Sequence, residues 1–218
     1  MTAPGVLLIV ASPSGGGKTT VIRHAIERLA ERGIPAHFSI SHTTRPPRPE
    51  ERTGVDYHFV TAEEFRALVD RNAFVEHAEY GGNLYGTSWS SLDDPLDRGR
   101  DLLLEIEVQG AGQIRARRSD ARLLFLLPPS MEELSRRLRG RGTDDASAVE
   151  RRLQIVVSEL QAVHGFDYAV VNDELEAAVA AVCEIVDAER SGETASVEER
   201  FGRPRVVSLL SDRFDFGV

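Results

Sequence analysis

Residues 6–19 constrain this chain more than any other stretch. Val6–Ala11 (V-L-L-I-V-A) is an unbroken apolar run bounded by turn residues, the pattern of a strand covered on both faces. A Gly-rich loop, Ser12–Gly17, follows directly. Lys18–Arg32 then carries Val21, Ile22, Ala25, Ile26 and Leu29 at helical spacing until Gly33 and Pro35 stop it. The loop with its first helical residues, Ser12-Pro-Ser-Gly-Gly-Gly-Lys-Thr19, matches G-x-x-x-x-G-K-[ST] except that Ser12 stands at the first glycine. Small residues let the amides of Ser14, Gly15, Gly16 and Gly17 turn inward around an anion, and the helix N-terminus adds its positive end. Lys18 can then reach the β and γ phosphates of a nucleoside triphosphate, with Thr20 beside it and the Thr19 hydroxyl as a ligand for Mg²⁺. An ordinary glycine turn explains the loop alone. It does not explain strand, loop, Lys-Thr and helix in this order, so the segment implies ATP binding with Mg²⁺.

Composition sharpens that reading. The 218 residues contain 26 basic side chains, and Lys18 is the single lysine. Arginine serves wherever else a cation is wanted, so position 18 calls for a compact ammonium rather than a planar fork. The formal net charge is −9, which disfavours nucleic acid as a partner and leaves small anions that a local arginine cluster can hold. The one cysteine, Cys183, excludes an intrachain disulfide and sits in apolar periodicity, where a buried structural thiol is expected. No apolar run approaches a membrane span, and Met1–Gly5 has no basic region before its apolar stretch. The expectation is a cytoplasmic protein with no membrane partner; the choice between monomer and homo-oligomer stays open.

Along the rest of the chain, strand and helix patterns alternate. Strands are expected at 36–41, 57–60, 73–80, 84–86, 101–108, 122–127 and 168–171. Helices are expected at 62–70 and 131–139, each opened by a capping-box pattern (Thr61 to Glu64, Ser130 to Glu133), and at 92–98, 113–117, 148–163 and 175–190. The predicted fold class is α/β with a mainly parallel sheet and helices on both faces. Residues 191–218 read as a tail with one short element. None of the six histidines falls in a metal-ligand spacing, and His42 and His77 are expected to pack at a rim.

A second constellation follows the loop: Ser41-His-Thr-Thr-Arg45-Pro-Pro-Arg48-Pro-Glu-Glu51, then Asp56-Tyr57, Phe74-Val-Glu76 and Gly82-Asn-Leu-Tyr85-Gly-Thr87. With the phosphate loop, these motifs resemble guanylate kinase along roughly residues 5–190. The resemblance implies a P-loop kinase fold with a core (1–37, 92–135 and 151–190), a GMP-binding lobe (38–91) and a lid (136–150). It implies transfer of a phosphoryl group from ATP to GMP, and to dGMP as well. Residue by residue, it implies that Arg45, Arg48, Tyr57 and Tyr85 hold the acceptor phosphate, with Ser41 and Glu51 lining that site. Glu76 would accept from guanine N1–H and the 2-amino group, and Thr87 would read the base. Arg137, Arg141 and Arg152 would join Lys18 around the transferring phosphates, and Asn172 would meet the adenosine of ATP. The chemistry agrees: a monophosphate wants bidentate donors, and a carboxylate matches adjacent N–H groups that adenine lacks.

The chain departs from the family pattern at Glu105-Ile-Glu107, where Asp-x-Asp is usual, and at Glu50, where glycine is usual. The resemblance places Glu105 at Mg²⁺ through water and Glu107 at the acceptor, each now one methylene longer. These departures motivate an alternative, a specialised paralogue acting on a related purine nucleotide. A non-catalytic guanylate-kinase-like binding module is another, disfavoured by the intact phosphate loop and lid arginines.

Overall fold

A computed structural model describes residues 5–13, 15–139, 156, 159–160, 162–205 and 208–209. Among the described residues, five parallel strands form the main sheet: β1 (Leu7–Ala11), β2 (Ala36–Phe38), β7 (Asp101–Ile106), β8 (Arg122–Leu127) and β9 (Tyr168–Val171). Their spatial order is β2-β7-β1-β8-β9, with β1 central.

The apolar runs are continuous because both sheet faces are covered. Leu7, Ile9 and Ala11 point to one side with Leu102, Leu104, Leu123, Phe125 and Leu127. There they meet Leu92 and Leu96 of α3 (Trp89–Asp97), Ala111 and Ile114 of α4 (Val108–Arg117), and Leu134 of α5 (Met131–Arg139). Leu8 and Val10 point the other way, onto Val21, Ile22, Ala25 and Leu29 of α1 (Lys18–Glu31) and the buried face of the Leu175–Ser191 helix, Cys183 included. Each such side chain removed from water is worth about 2 kcal/mol.

The chain leaves this sheet after β2. The expected strand at 36–41 divides, because Ser39 N still donates to Leu103 O at 3.0 Å whereas β3 (His42–Thr43) joins a second sheet. That sheet, ordered β4-β3-β6-β5, also contains β4 (His58–Phe59), β5 (Phe74–Tyr80) and β6 (Asn83–Ser88). It is closed on one side by α2 (Ala62–Asp70), whose Phe65 stacks on Phe74 at 4.6 Å. The Thr61 capping box forms in full. At the second predicted box, Ser130 Oγ accepts from Glu133 N at 3.2 Å, but the Glu133 carboxylate turns to Arg136 and Arg137.

Further expectations are corrected. The helix expected from 92 starts at Trp89, because Ser88 accepts from Ser91 N and caps it. The strand expected to reach 108 ends at Ile106, and the helix expected from 113 begins at Val108; Gly110 and Gly112 lie within the helix rather than before it. The presumed tail packs: Val197 of the Ala195–Phe201 helix and Leu209 are 5% and 8% exposed, and Gly202 bridges Tyr168 along the edge of β9. The helix expected at 148–163 lies largely outside the described residues.

Candidate active site

The carboxyl ends of β1, β7 and β9 converge on the phosphate loop, where an open parallel sheet leaves a crevice. Gly17 caps α1 with φ 88°, a left-handed conformation that side chains disfavour. A Cβ there would fall 2.5 Å from Nδ2 of Asn172. That nitrogen donates to Gly16 O at 2.8 Å, so Asn172, buried at the end of β9, braces the loop from beneath. Ser12 is fully buried, and its hydroxyl donates to Pro13 O at 3.0 Å, which satisfies the side chain standing where glycine is usual. Arg137 reaches the same place from α5, with Nη2 3.4 Å from Asn172 O and Nε donating to Glu133 at 2.8 Å.

Lys18 is buried, and its ammonium donates to Ser12 O at 2.8 Å. Glu107 Oε1 lies 3.7 Å from the same nitrogen. The Thr19 hydroxyl donates to Glu105 Oε2 at 2.7 Å. The two glutamates that replace the usual aspartates thus reach the phosphate loop's own Lys and Thr. Glu159, which sequence reasoning passed over, belongs to this group. Burial pushes its carboxyl up to about 7, with Glu107 adding to the rise and Lys18 opposing it. Nothing in its local sequence, one acidic residue in an amphipathic run, marks it.

The second sheet carries the other cluster. The Arg45 guanidinium bonds both oxygens of Glu51, at 2.8 and 2.9 Å, and lies over the rings of Tyr57 and Phe59 at 5.6 and 5.8 Å. Arg48 donates its backbone N–H to Glu51 at 2.8 Å, while its guanidinium is exposed, 3.7 Å from the same carboxylate. Tyr57 and Tyr85 meet edge to face at 6.2 Å. Burial raises the Tyr57 phenol above its ordinary value, and the Glu105 carboxylate adds to the rise.

Deeper in, Thr87 Oγ1 donates to Glu76 Oε1 at 2.7 Å, and Ser41 Oγ, 3.1 Å from Thr87 Oγ1, supplies the donor that Thr87 has given away. All three residues are buried. Burial pushes the Glu76 carboxyl up to about 7 against the hydrogen bonds from Thr87. His42 lies between His58 and Phe74, at 4.7 and 5.3 Å, and burial lowers it to about 4, which fits packing rather than chemistry. Arg23 of α1 donates to Asp56 at 2.6 Å, tying the two sheets together beside this cluster. That pair was missed because Arg23 belongs to no motif read in the sequence, and Asp56 was read there only as the neighbour of Tyr57. Ser14, Arg141 and Arg152 lie outside the described residues.

The sequence model for guanylate kinase matches residues 5–189. The chain belongs to the guanylate kinase family. A guanylate kinase from Dechloromonas aromatica is 50% identical over 175 residues, covering 80% of this chain and 85% of that one. One from Thermus thermophilus is 49% identical over 186 residues, covering 85% and 82%. The crystal structure of guanylate kinase from Anaplasma phagocytophilum superposes with a TM-score of 0.71 at 34% identity, over 87% of this chain and 88% of that one. The fold is therefore that of the P-loop kinases, and membership makes this chain a nucleoside monophosphate kinase of the guanylate kinase family. No helix among the described residues is long and apolar enough to cross a membrane.

Proposed function

We propose that this guanylate kinase family member transfers the γ-phosphoryl group of ATP to the phosphate of GMP, giving ADP and GDP, and that dGMP is also accepted. An acceptor phosphate oxygen forms the new bond to the γ phosphorus as the bond to the β–γ bridging oxygen breaks; no protein nucleophile is needed. The observation that carries the reading is the juxtaposition of two clusters. Lys18, Thr19, Glu105 and Glu107 stand at the phosphate loop, and one cavity is lined by Thr19 and Arg23 on that side and by Arg48, Glu51 and Asp56 on the other.

Lys18 and the loop amides of residues 14–17 hold the donor phosphates, with Thr20 in the first turn of α1. Asn172 serves ATP through the loop it braces. Arg137 neutralises charge on the transferring group, together with Arg141 and Arg152. Arg45, Arg48, Tyr57 and Tyr85 hold the GMP phosphate, which displaces Glu51 from Arg45. Glu107 orients the acceptor beside Lys18. Ionised Glu76 accepts from guanine N1–H and the 2-amino group, with Ser41 and Thr87 fixing its other oxygen.

Thr19 and Glu105 would hold Mg²⁺, Thr19 by its hydroxyl and Glu105 through water; the ion would neutralise charge on the ATP phosphates. Their 2.7 Å contact puts a hydroxyl and a carboxylate in one place. A hard cation shared with phosphates needs no larger protein cage.

The test is ADP release from ATP and Mg²⁺ with GMP, dGMP, AMP, UMP and CMP in turn, with Lys18→Ala as the control. Turnover confined to GMP and dGMP, and lost in Lys18→Ala, supports the reading. Turnover absent with all five, or equal with AMP, overturns it. The exposed protein takes the ATP and nucleotide partners only; no membrane or nucleic-acid role enters this scheme, and we place the reaction in the cytoplasm.

A further inference from the structure

We propose that helix α4 is the positioning element for base recognition, with Gly110, Gln113 and Arg117 holding β5 in the register that presents Glu76 to guanine. The proposal rests on the assignment of Glu76 to the base made above. Residues 110, 113 and 117 are spaced by three and four, so they share one face of the helix. All three meet β5.

Gly110 makes the closest approach. A Cβ on it would fall 2.9 Å from Glu76 Oε2 and 2.4 Å from Ile106 Cδ1. Only a hydrogen fits between the helix backbone and the carboxylate. Gln113 then pairs both backbone groups of His77, with Nε2 donating to His77 O at 3.2 Å and Oε1 accepting from His77 N at 3.4 Å. Arg117 Nη1 donates to Phe74 O at 3.1 Å and to Val75 O at 2.8 Å. The helix thus grips β5 on both sides of Glu76.

The strand needs that grip. β5 is at the edge of its sheet, paired only with β6 among the described strands. Its register shifts between Phe74 and Glu76, which leaves one residue more on β5 than on its partner. A one-residue slip would turn Glu76 to the opposite face of the sheet. The side chains of Gln113 and Arg117 take the place of a neighbouring strand on the free edge and fix the irregular register. The residue that caps the start of the same helix, Glu107, has its Oε1 3.7 Å from Lys18 Nζ. One rigid rod therefore sets the spacing between the donor lysine and the base-reading carboxylate.

The experiment compares steady-state kinetics with GMP and with IMP, which lacks the 2-amino group, in Gln113→Ala/Arg117→Met and in Gly110→Ala. Melting temperature and KM for ATP are measured alongside. In the double variant, which removes four hydrogen bonds from α4 to β5, KM for GMP should rise about tenfold. The preference for GMP over IMP should fall in step, with kcat and KM for ATP held within about twofold. Gly110→Ala should show the same split although alanine is the better helix former. Arg117→Lys, which keeps a donor, should recover part of the loss. If both variants keep KM and preference at wild-type values while Glu76→Ala loses them, α4 does not position the base reader. If they lose melting temperature and both substrates' KM together, α4 is merely structural and the proposal fails. If Glu76→Ala itself leaves GMP preference unchanged, the base assignment has failed and the proposal falls with it.

Discussion

Glu76 shows how much one buried carboxylate can carry. Its pKa is raised to about 7 by burial, so the folded protein binds more protons than the unfolded chain between the ordinary glutamate value and 7. A raised carboxyl contributes stability that is present at low pH and lost as pH rises through the folded value. Relative to Glu76→Gln, the wild-type protein should therefore lose stability between pH 4.5 and 7, by on the order of 3 kcal/mol. Glu159, raised to about 7 as well, is common to both proteins and cancels in the comparison. Thermal melts across that window check the sign, and a gap that does not change with pH would refute it. Binding runs the other way: GMP requires the ionised form, so KM for GMP should rise as pH falls below 7. At the phosphate loop, Gly17→Ala sets a Cβ against Asn172 at a positive φ. We expect KM for ATP to rise by about tenfold or more with KM for GMP little changed, measured by initial rates at varied ATP. Lys18 and Thr19 could be singled out in the sequence because they stand in a motif of fixed order, and Arg45, Glu76 and Thr87 because they match the motifs of the resemblance. Gly110 was read as lying ahead of a short helix, and what it avoids touching is set by another element.

The elements were legible where local chemistry decides them. Thr61 and Glu64 sit three apart ahead of an apolar pattern, and the structure forms both of their reciprocal bonds, with Thr61 N donating to Glu64 at 2.7 Å and Glu64 N to Thr61 Oγ1 at 3.1 Å. Thr61→Ala should cost about 1 kcal/mol in urea unfolding and Thr61→Ser much less; equal losses would mean that the methyl rather than the hydroxyl matters. The start of α4 was illegible for the opposite reason. Gly110 and Gly112 depress helix propensity, and only packing of Ala111 and Ile114 into the core overrides that. The division at Ser39–Ser41 was hidden too, because a single extended run can feed two sheets, and only the pairing of His42 with His58 and Gly86 shows which sheet receives it.

At the scale of the whole molecule, a few long-range polar ties close the structure. Asp101 has a fully buried side chain; its Oδ1 accepts from Val6 N at 2.9 Å and from Arg190 at 2.7 Å. Arg190→Met would leave that carboxylate buried beside one amide and should cost about 3 kcal/mol in chemical denaturation. Asp101→Asn combined with Arg190→Met should cost less, and if it does not, the charge is not what the arginine serves. The sequence by itself determined the parallel α/β order and the phosphate loop, which follow from periodicity and from chemistry confined to a dozen residues or fewer; the acceptor cluster was singled out by its resemblance to guanylate kinase. Only the tertiary structure decided that Asn172 braces Gly16, that Thr19 and Arg48 line one cavity, that Val197 and Leu209 complete the core, and that α4 meets β5 around Glu76. Each of those joins residues far apart in the chain, and close packing of separate elements, rather than any local preference, brings them together.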